Sequence, residues 1–291
     1  MYAKYPAMTH NRNIYVTDLD GTLLNHESRV SDRSREILDR LSADGTLITV
    51  ATARTPATVD NLLSGIRLRL PAIVMTGAAT WDLTAKRYHH KHMMDPGLCA
   101  AVERVCSGHG ITPFRYTLGH EGMLDVFHLS PRGRAGMNRA EQSFYEERSR
   151  LKLKKFHFEP PADNAFGDTI LYLGLAPADD VNRAAEELRA MGITSVSAYP
   201  DIFNPAVGTL EVYADGVSKA SAVSRLREAY GGGRLTVFGD NLNDIPMMRV
   251  ADVAVAVENA LPQVKEAADI VIGPNTADSV ARYIEQDCAR Y

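Results

Sequence analysis

Three cysteines in 291 residues are too few, and too odd in number, for a disulfide framework, and they suit a reducing cytoplasm better. Cys99 and Cys106 lie seven apart in a helical pattern and read as core residues, while Cys288 sits near the C-terminus. Long apolar runs are missing as well. No stretch approaches the roughly 18 uncharged apolar residues that a membrane span requires. Residues 1–12 hold no apolar core of the kind that directs secretion, and they read as a short disordered tail or an expression remnant. A basic excess is also lacking: the formal net charge is −4, which argues against a general nucleic-acid binder. Neither internal repeats nor low-complexity tracts occur. What is left is an ordinary soluble composition, 45% hydrophobic, on a chain long enough for one large domain or two. The expected setting is the cytoplasm, as a monomer or small homo-oligomer, with no membrane and no nucleic-acid partner.

The first third alternates strand and helix. Residues 13–17 read as a short buried strand. A helix over 32–43 follows, with Ser31 as its N-cap, Ile37, Leu38 and Leu41 on one face, and Gly45 as its stop. Residues 46–51 form a second β-branched run, Thr55-Pro56 opens another helix, and 71–76 is the third strand. Strands separated by helices imply parallel pairing in an open, doubly wound, Rossmann-like sheet. The last third resumes the rhythm, with strands at 235–238, 253–257 and 270–272 and helices beginning near 218, 244, 262 and 277. The middle reads differently. Helical runs at 97–107, 135–150 and 179–191 are mixed with strands at 112–118, 123–129, 169–175 and 194–199. Two of those strands, joined across 119–122, suggest an antiparallel hairpin. The expectation is an α/β core built from 1–81 and 208–291, interrupted by an α+β insert over 82–207.

Asp18 and Asp20 directly follow the first strand, where an open parallel sheet places its ligands. Two carboxylates two apart on a turn can face one site, and they suit a hard divalent cation and proton transfer. Gly21 favours the turn, and Thr22 can hydrogen-bond the loop. Taken alone, the pair could also be turn formers. The run Gly239-Asp240-Asn241-Leu242-Asn243-Asp244 brings more carboxylates and an amide to a second strand tip, where alone it could be an N-capping turn. Two converging acidic tips point to a metal site, because crowded carboxylates repel and take up protons unless a cation neutralises them. Ala51-Thr52-Ala53-Arg54 ends the second strand with a hydroxyl and backbone N–H groups near a helix start, which suit either a phosphate or a helix cap. Lys219 opens a helix whose dipole it opposes, so either an anion lies in front of it or it is an ordinary surface lysine.

In this order, DLDGTLL, ATAR, GVSK and GDNLND resemble the four motifs of the haloacid dehalogenase superfamily of phosphohydrolases. The nearer likeness is to its Cof-type branch, in which a large α/β cap is inserted after the third core strand. Segments 256–269 and 275–281 also resemble the closing segments of that branch. The likeness covers both core segments closely and the insert only in length and position. It implies a Mg2+-dependent phosphatase that hydrolyses a small phosphorylated metabolite, such as a sugar phosphate, through an aspartyl-phosphate intermediate. By position, Asp18 would be the nucleophile. Asp20 would protonate the leaving oxygen and then activate water. Thr52, Ala53, Lys219 and Asn243 would hold the phosphoryl oxygens. Asp240, Asp18 and the backbone carbonyl of Asp20 would bind Mg2+, with Asn243 and Asp244 ordering that site and Lys219. A lysine and a cation beside an anionic nucleophile supply the charge stabilisation on which phosphoryl transfer depends. Three positions depart from the pattern: Ala53 where glycine is usual, Thr76-Gly77-Ala78 in place of an asparagine-led turn, and Ala220 after the lysine where glycine is common. None removes a reacting group; they bear on substrate range or cap closure.

Competing readings keep the fold and change the reaction, as a phosphomutase or a phosphatase dedicated to one sugar phosphate. An Asp-x-Asp pair also serves metal-dependent glycosyltransferases, but the lysine and GDNLND segments argue against that. A non-catalytic phosphate-binding protein is disfavoured by the full set of reacting residues. His89, His90 and His92 lack a cysteine or carboxylate at ligand spacing and read as a solvated strand edge rather than a zinc site. The basic run Arg148, Arg150, Lys152, Lys154 and Lys155, with Phe156 and Phe158 after it, reads as a solvated helix end leading into a strand. The insert would choose the leaving group and close over the substrate, yet no motif within it names that substrate.

Overall fold

The computed structural model describes residues 13–119, 122–201 and 204–290. The tail expected over 1–12 and the centre of the 119–122 connection lie outside the described residues. The chain divides into two compact units: one holds the residues up to His90 and those from Ser218 onward, the other Lys91–Val217.

The first unit opens with β1 (Ile14–Thr17), α1 (Asp32–Ala43), β2 (Leu47–Val50), α2 (Pro56–Leu62) and β3 (Ala72–Val74). β1, β2 and β3 are buried at every residue, as strands covered on both faces must be. Ser31 Oγ caps α1 by accepting the Ser34 N–H at 3.0 Å, and Ile37, Leu38 and Leu41 form its buried stripe. Pro56 starts α2, where its missing N–H costs nothing.

β3 meets β2 through a parallel bridge between Ala51 and Ile73, then turns back antiparallel into β4 (Ala79–Asp82) and β5 (Arg87–Lys91). These two strands keep residues up to His90 with the core, whereas the sequence suggests a division after 81. β5 takes in His89 and His90, as their reading as a strand edge expects, but it is half-buried rather than solvated, with Tyr88 packed edge-on against Trp81 of β4.

Nine elements of the second unit follow: α3 (Pro96–Gly108), β6 (Phe114–Leu118), β7 (Leu124–His128), α4 (Arg139–Arg148), β8 (Lys154–His157), β9 (Thr169–Pro177), α5 (Ala178–Ala190), β10 (Val196–Pro200) and β11 (Val207–Val212). Its sheet runs in the order β10-β11-β9-β6-β7-β8, antiparallel except between β7 and β8. Glu103 of α3 accepts hydrogen bonds from Arg115 and Tyr172 on one face. On the opposite face Phe144 of α4 packs against Phe114. β11 carries the insert beyond the expected boundary at 207 to Val217. Gly208 makes that strand look like a loop. Its actual service is close packing, since a Cβ there would lie 2.9 Å from Val181 Cβ on α5. The basic run is also not wholly solvated: Lys154 is 7% exposed, with its Nζ 5.0 Å from the centre of the Tyr116 ring.

The first unit then resumes with α6 (Lys219–Ala229), β12 (Leu235–Gly239), α7 (Ile245–Met248), β13 (Val253–Val257), α8 (Pro262–Ala267), β14 (Ile270–Ile272) and α9 (Ser279–Cys288). Its five-stranded sheet has the order β14-β13-β12-β1-β2, parallel throughout. From β1 the chain moves outward to β2; from β12 it moves the other way to β13. The direction of winding therefore reverses between β1 and β12. An open α/β sheet binds ligands beyond the carboxyl ends of the strands at such a switch point. No helix among the described residues is long and apolar enough to cross a membrane.

Candidate active site

The hydrogen-bond ladder of β1 continues past the strand, with the Asp18 N–H donating to the Phe238 carbonyl of β12 at 3.0 Å. Asp18 therefore stands at the switch point, 5% exposed. The turn beyond it requires glycine. Gly21 has φ +77°, and a Cβ there would lie 2.3 Å from Asp240 Oδ2. Asn259 Nδ2 pins the turn by donating to the Gly21 carbonyl at 2.7 Å. Thr22 does not bond its own loop, as the sequence suggests; its Oγ1 donates across to Asp240 Oδ1 at 3.0 Å.

The second acidic tip folds back on itself. Gly239 ends β12, and any Cβ there would sit 2.5 Å from the Asp244 Cβ. Asp244 is completely buried, and its Oδ2 accepts the N–H groups of Asp240 and Asn241, each at 3.1 Å. Its Oδ1 accepts from Lys219 Nζ at 2.7 Å, and the same Nζ donates to Asp18 Oδ1 at 2.5 Å. Lys219 is 2% exposed and begins α6, after the Ser218 cap. The anions demanded by a lysine at a helix N-terminus are thus two carboxylates of the protein itself.

One ligand atom from each of Asp18, Asp240 and Asp244 lies within 4.8 Å of the others. Burial pushes the Asp18 carboxyl upward against the opposing pull of Lys219, with Asp244 adding to the rise. Burial and the Asp244 charge push Asp240 up to about 6. Burial works against the Lys219 charge, yet the two carboxylates outweigh it and hold the ammonium above its ordinary range. Three carboxylates around one ammonium leave negative charge uncompensated. The donor set is oxygen only, partly buried and under-neutralised, and it fits a hard divalent cation.

The structure thus brings Asp18, Lys219, Asp240 and Asp244 into one network. Asp244, expected only to support the site, contributes a carboxylate to the cluster itself. The Asp20 side chain points elsewhere, to Arg54, and lies outside the carboxylate cluster. Thr52 is buried at the end of β2, where its Oγ1 accepts the Arg54 N–H at 3.1 Å. Its backbone N–H donates to Ile73 and its carbonyl accepts from Thr76, so β3 holds it in place. Ala53 is half-buried beside it, and Asn243 is exposed beyond the second tip. Arg54 and Asn259 were not singled out by spacing. Arg54 falls inside ATAR, but nothing local marks Asp20 as its partner. His89, set apart as a strand-edge residue, pairs with Asp82 at 3.0 Å within the β4–β5 ribbon.

The sequence profile of the haloacid dehalogenase-like hydrolases matches residues 15–284. The chain belongs to this family. As a haloacid dehalogenase-like hydrolase it is an enzyme, and its motif segments are the ones that meet at the switch point. It is 28% identical over 271 residues to the 5-amino-6-(5-phospho-D-ribitylamino)uracil phosphatase YcsE of Bacillus subtilis, covering 92% of each chain. It is 25% identical to the pyridoxal phosphate phosphatase YbhA of Escherichia coli, over 93% of this chain and 97% of that one. Its fold is that of a haloacid dehalogenase-like hydrolase from Bacteroides thetaiotaomicron, with TM-score 0.72, 22% identity, and coverage of 95% of this chain and 99% of the other.

Proposed function

We propose that this hydrolase is a phosphatase of small phosphorylated metabolites that works through a phosphorylated Asp18. The observation that carries this reading is the Lys219 ammonium fixed on one oxygen of a buried Asp18, which leaves the other oxygen to attack. An Asp18 oxygen bonds to phosphorus as the bond to the leaving oxygen breaks, and Asp20 gives that oxygen a proton. Water then attacks the aspartyl-phosphate, Asp20 takes the water's proton, and the bond between phosphorus and Asp18 breaks. Thr52 Oγ1, the Ala53 N–H, Lys219 and Asn243 are assigned to the phosphoryl oxygens. Mg2+, held by Asp18, Asp240 and the Asp20 carbonyl, would supply further positive charge to the phosphoryl group. Asp244 keeps Lys219 aimed at Asp18. Choice among substrates is assigned to the insert.

The experiment is phosphate release from 4-nitrophenyl phosphate by wild type and Asp18→Asn, with Mg2+ and after exhaustive chelation. The variant should fold normally and lose turnover by more than about a thousandfold, in line with loss of an essential nucleophile. Comparable rates in variant and wild type would remove Asp18 from the chemistry. Full activity without a divalent ion would remove the metal.

A further inference from the structure

Asp20 is the reacting group that the carboxylate cluster leaves out, and its surroundings are specific. Arg54 Nε donates to Asp20 Oδ2 at 2.7 Å and Arg54 Nη2 donates to Oδ1 at 2.6 Å. This is a side-on fork: two parallel N–H···O bonds that fix the plane of the carboxylate as well as its position. A lysine in the same place would supply charge without that plane.

Both ends of the fork are anchored. The Arg54 N–H donates to Thr52 Oγ1 at 3.1 Å, and its carbonyl accepts the Met75 N–H at 2.9 Å, so β2 and β3 together hold its backbone. On the other side, Asn259 pins the carbonyl of Gly21, the residue after Asp20. The Asp20 backbone is held, and its side-chain torsions are the freedom that the fork removes. The pair contributes little to stability. The side chains are 53% exposed for Asp20 and 23% for Arg54, and an ion pair so open to water is usually worth less than about 1 kcal/mol. A contact so exact in geometry and so minor for folding points to the chemistry of Asp20.

We propose that Arg54 is a positioning residue: it holds the Asp20 carboxyl at the angle from which one oxygen delivers a proton to the leaving group. The fork then receives the carboxylate that remains. In that step the O–H bond of Asp20 breaks, an O–H bond forms on the leaving oxygen, and the electron pair left on Asp20 is shared with the two Arg54 N–H groups. Arg54 forms no bond to substrate in this scheme. The inference rests on the proposed role of Asp20.

A poor leaving group needs this proton far more than a good one, which gives the test its axis. Phosphate release with Mg2+ is measured on 4-nitrophenyl phosphate and on alkyl phosphates that the wild-type enzyme turns over, for wild type, Arg54→Gln, Arg54→Lys and Asp20→Asn. Arg54→Gln should lower kcat on the alkyl substrates at least about tenfold more than on the aryl one, within the range that general acid catalysis supplies. KM should change little, and the thermal midpoint should stay within a few degrees. Arg54→Lys should fall between, because it keeps the charge and loses the fork. An equal fall on both substrate types, or a rise in KM at constant kcat, would overturn the proposal, as would wild-type rates throughout. Asp20→Asn separates the two levels of the argument. If it retains wild-type kcat on the alkyl substrates, the role of Asp20 itself fails; if it loses that activity while Arg54→Gln shows no leaving-group bias, only the role of Arg54 fails.

Discussion

Among the described residues two lysines are buried, one in each unit, and they are handled in opposite ways. Lys219 in the core is 2% exposed and lies between Asp18 and Asp244, at 2.5 and 2.7 Å. Lys154 in the insert is 7% exposed and faces aromatic rings, with its Nζ 5.0 Å from the Tyr116 centroid and 6.0 Å from that of Phe144. Among the described residues Lys154 makes no ion pair. Burial, with the Arg148 charge adding to it, pushes Lys154 down to about 7, while the carboxylates hold Lys219 above its ordinary range. Removal from water disfavours both ammonium groups; the partners decide which of them stays charged. At the tips of β1 and β12 the core sets buried opposite charges against each other, whereas around Lys154 the insert packs the rings of Phe114, Phe144 and Phe156.

The same substitution at the two positions should therefore act with opposite sign. Lys219→Met leaves Asp18 and Asp244 buried against each other without a counter-charge. Removing one partner of a buried ion pair costs about 3–5 kcal/mol, and turnover should be lost with it. Urea unfolding and phosphate release measure the two effects. Unchanged stability would mean that the lysine is not what balances this cluster, and the contrast with Lys154 would collapse.

Lys154→Met should instead stabilise the protein at pH 7, on the order of a few kcal/mol as expected for an ammonium moved from 10.5 to about 7, less whatever the cation–π contact to Tyr116 returns. The pH dependence fixes the mechanism. The group titrates near 7 when folded and at its ordinary 10.5 when unfolded. Between those values the unfolded chain binds the additional proton, so wild-type stability rises with pH across the window. The penalty is complete below pH 7 and is gone above 10.5. The stability difference between wild type and Lys154→Met should shrink over that range. A difference that stays level from pH 7 to 10 would show that packing, not charge, distinguishes the variant.

The contrast also explains what could be read from the sequence. The core was legible because its constraints are local: Ser31 capping α1, Pro56 opening α2, and acidic turns placed directly after β1 and β12. An anion in front of Lys219 is suggested by the helix dipole, which is a property of adjacent residues. That Asp244 belongs to the second acidic tip and orders Lys219 was expected, and the two are 2.7 Å apart; that its other oxygen turns back to the N–H groups of Asp240 and Asn241 was not legible, since it depends on Gly239 allowing the chain to fold back. The Arg54–Asp20 fork joins residues 34 apart, and no spacing rule connects them. In the insert, Lys154 looked solvated because it belongs to a basic run; the rings of Tyr116 on β6 and Phe144 on α4, both distant in sequence, lie against it. β11 was lost behind Gly208, whose purpose is set by a helix about thirty residues earlier.

The two units also differ in where they place left-handed backbone. At Asp163 and Asn164 the insert has φ of +57° and +54°, and it uses the residue types that tolerate the left-handed region. The core, at the tip of β3, places Met75, Thr76 and Gly77 at φ of +50°, +56° and +98°. Glycine is required there, because a Cβ on Gly77 would lie 2.3 Å from the Ser218 carbonyl oxygen, just before Lys219. Threonine is not suited to its position: a β-branched side chain in the left-handed region is a steric outlier. This turn supports the loop proposed to hold phosphate, since Thr76 donates its N–H to the Thr52 carbonyl and Met75 donates to that of Arg54. Strain stored beside a reacting site is expected where the surrounding structure over-determines the backbone. Thr76→Asn should relieve it and raise stability by about 0.5–1 kcal/mol, read as a small rise in the urea midpoint. Gly77→Ala in the same experiment should lower the midpoint, because it adds the clash that the turn was shaped to avoid. If Thr76→Asn were neutral or destabilising, the hydroxyl and methyl of Thr76 would be holding more of the site than the backbone strain costs. The core tip would then owe its departure from asparagine to contacts made by the side chain rather than to tolerance of a poor fit.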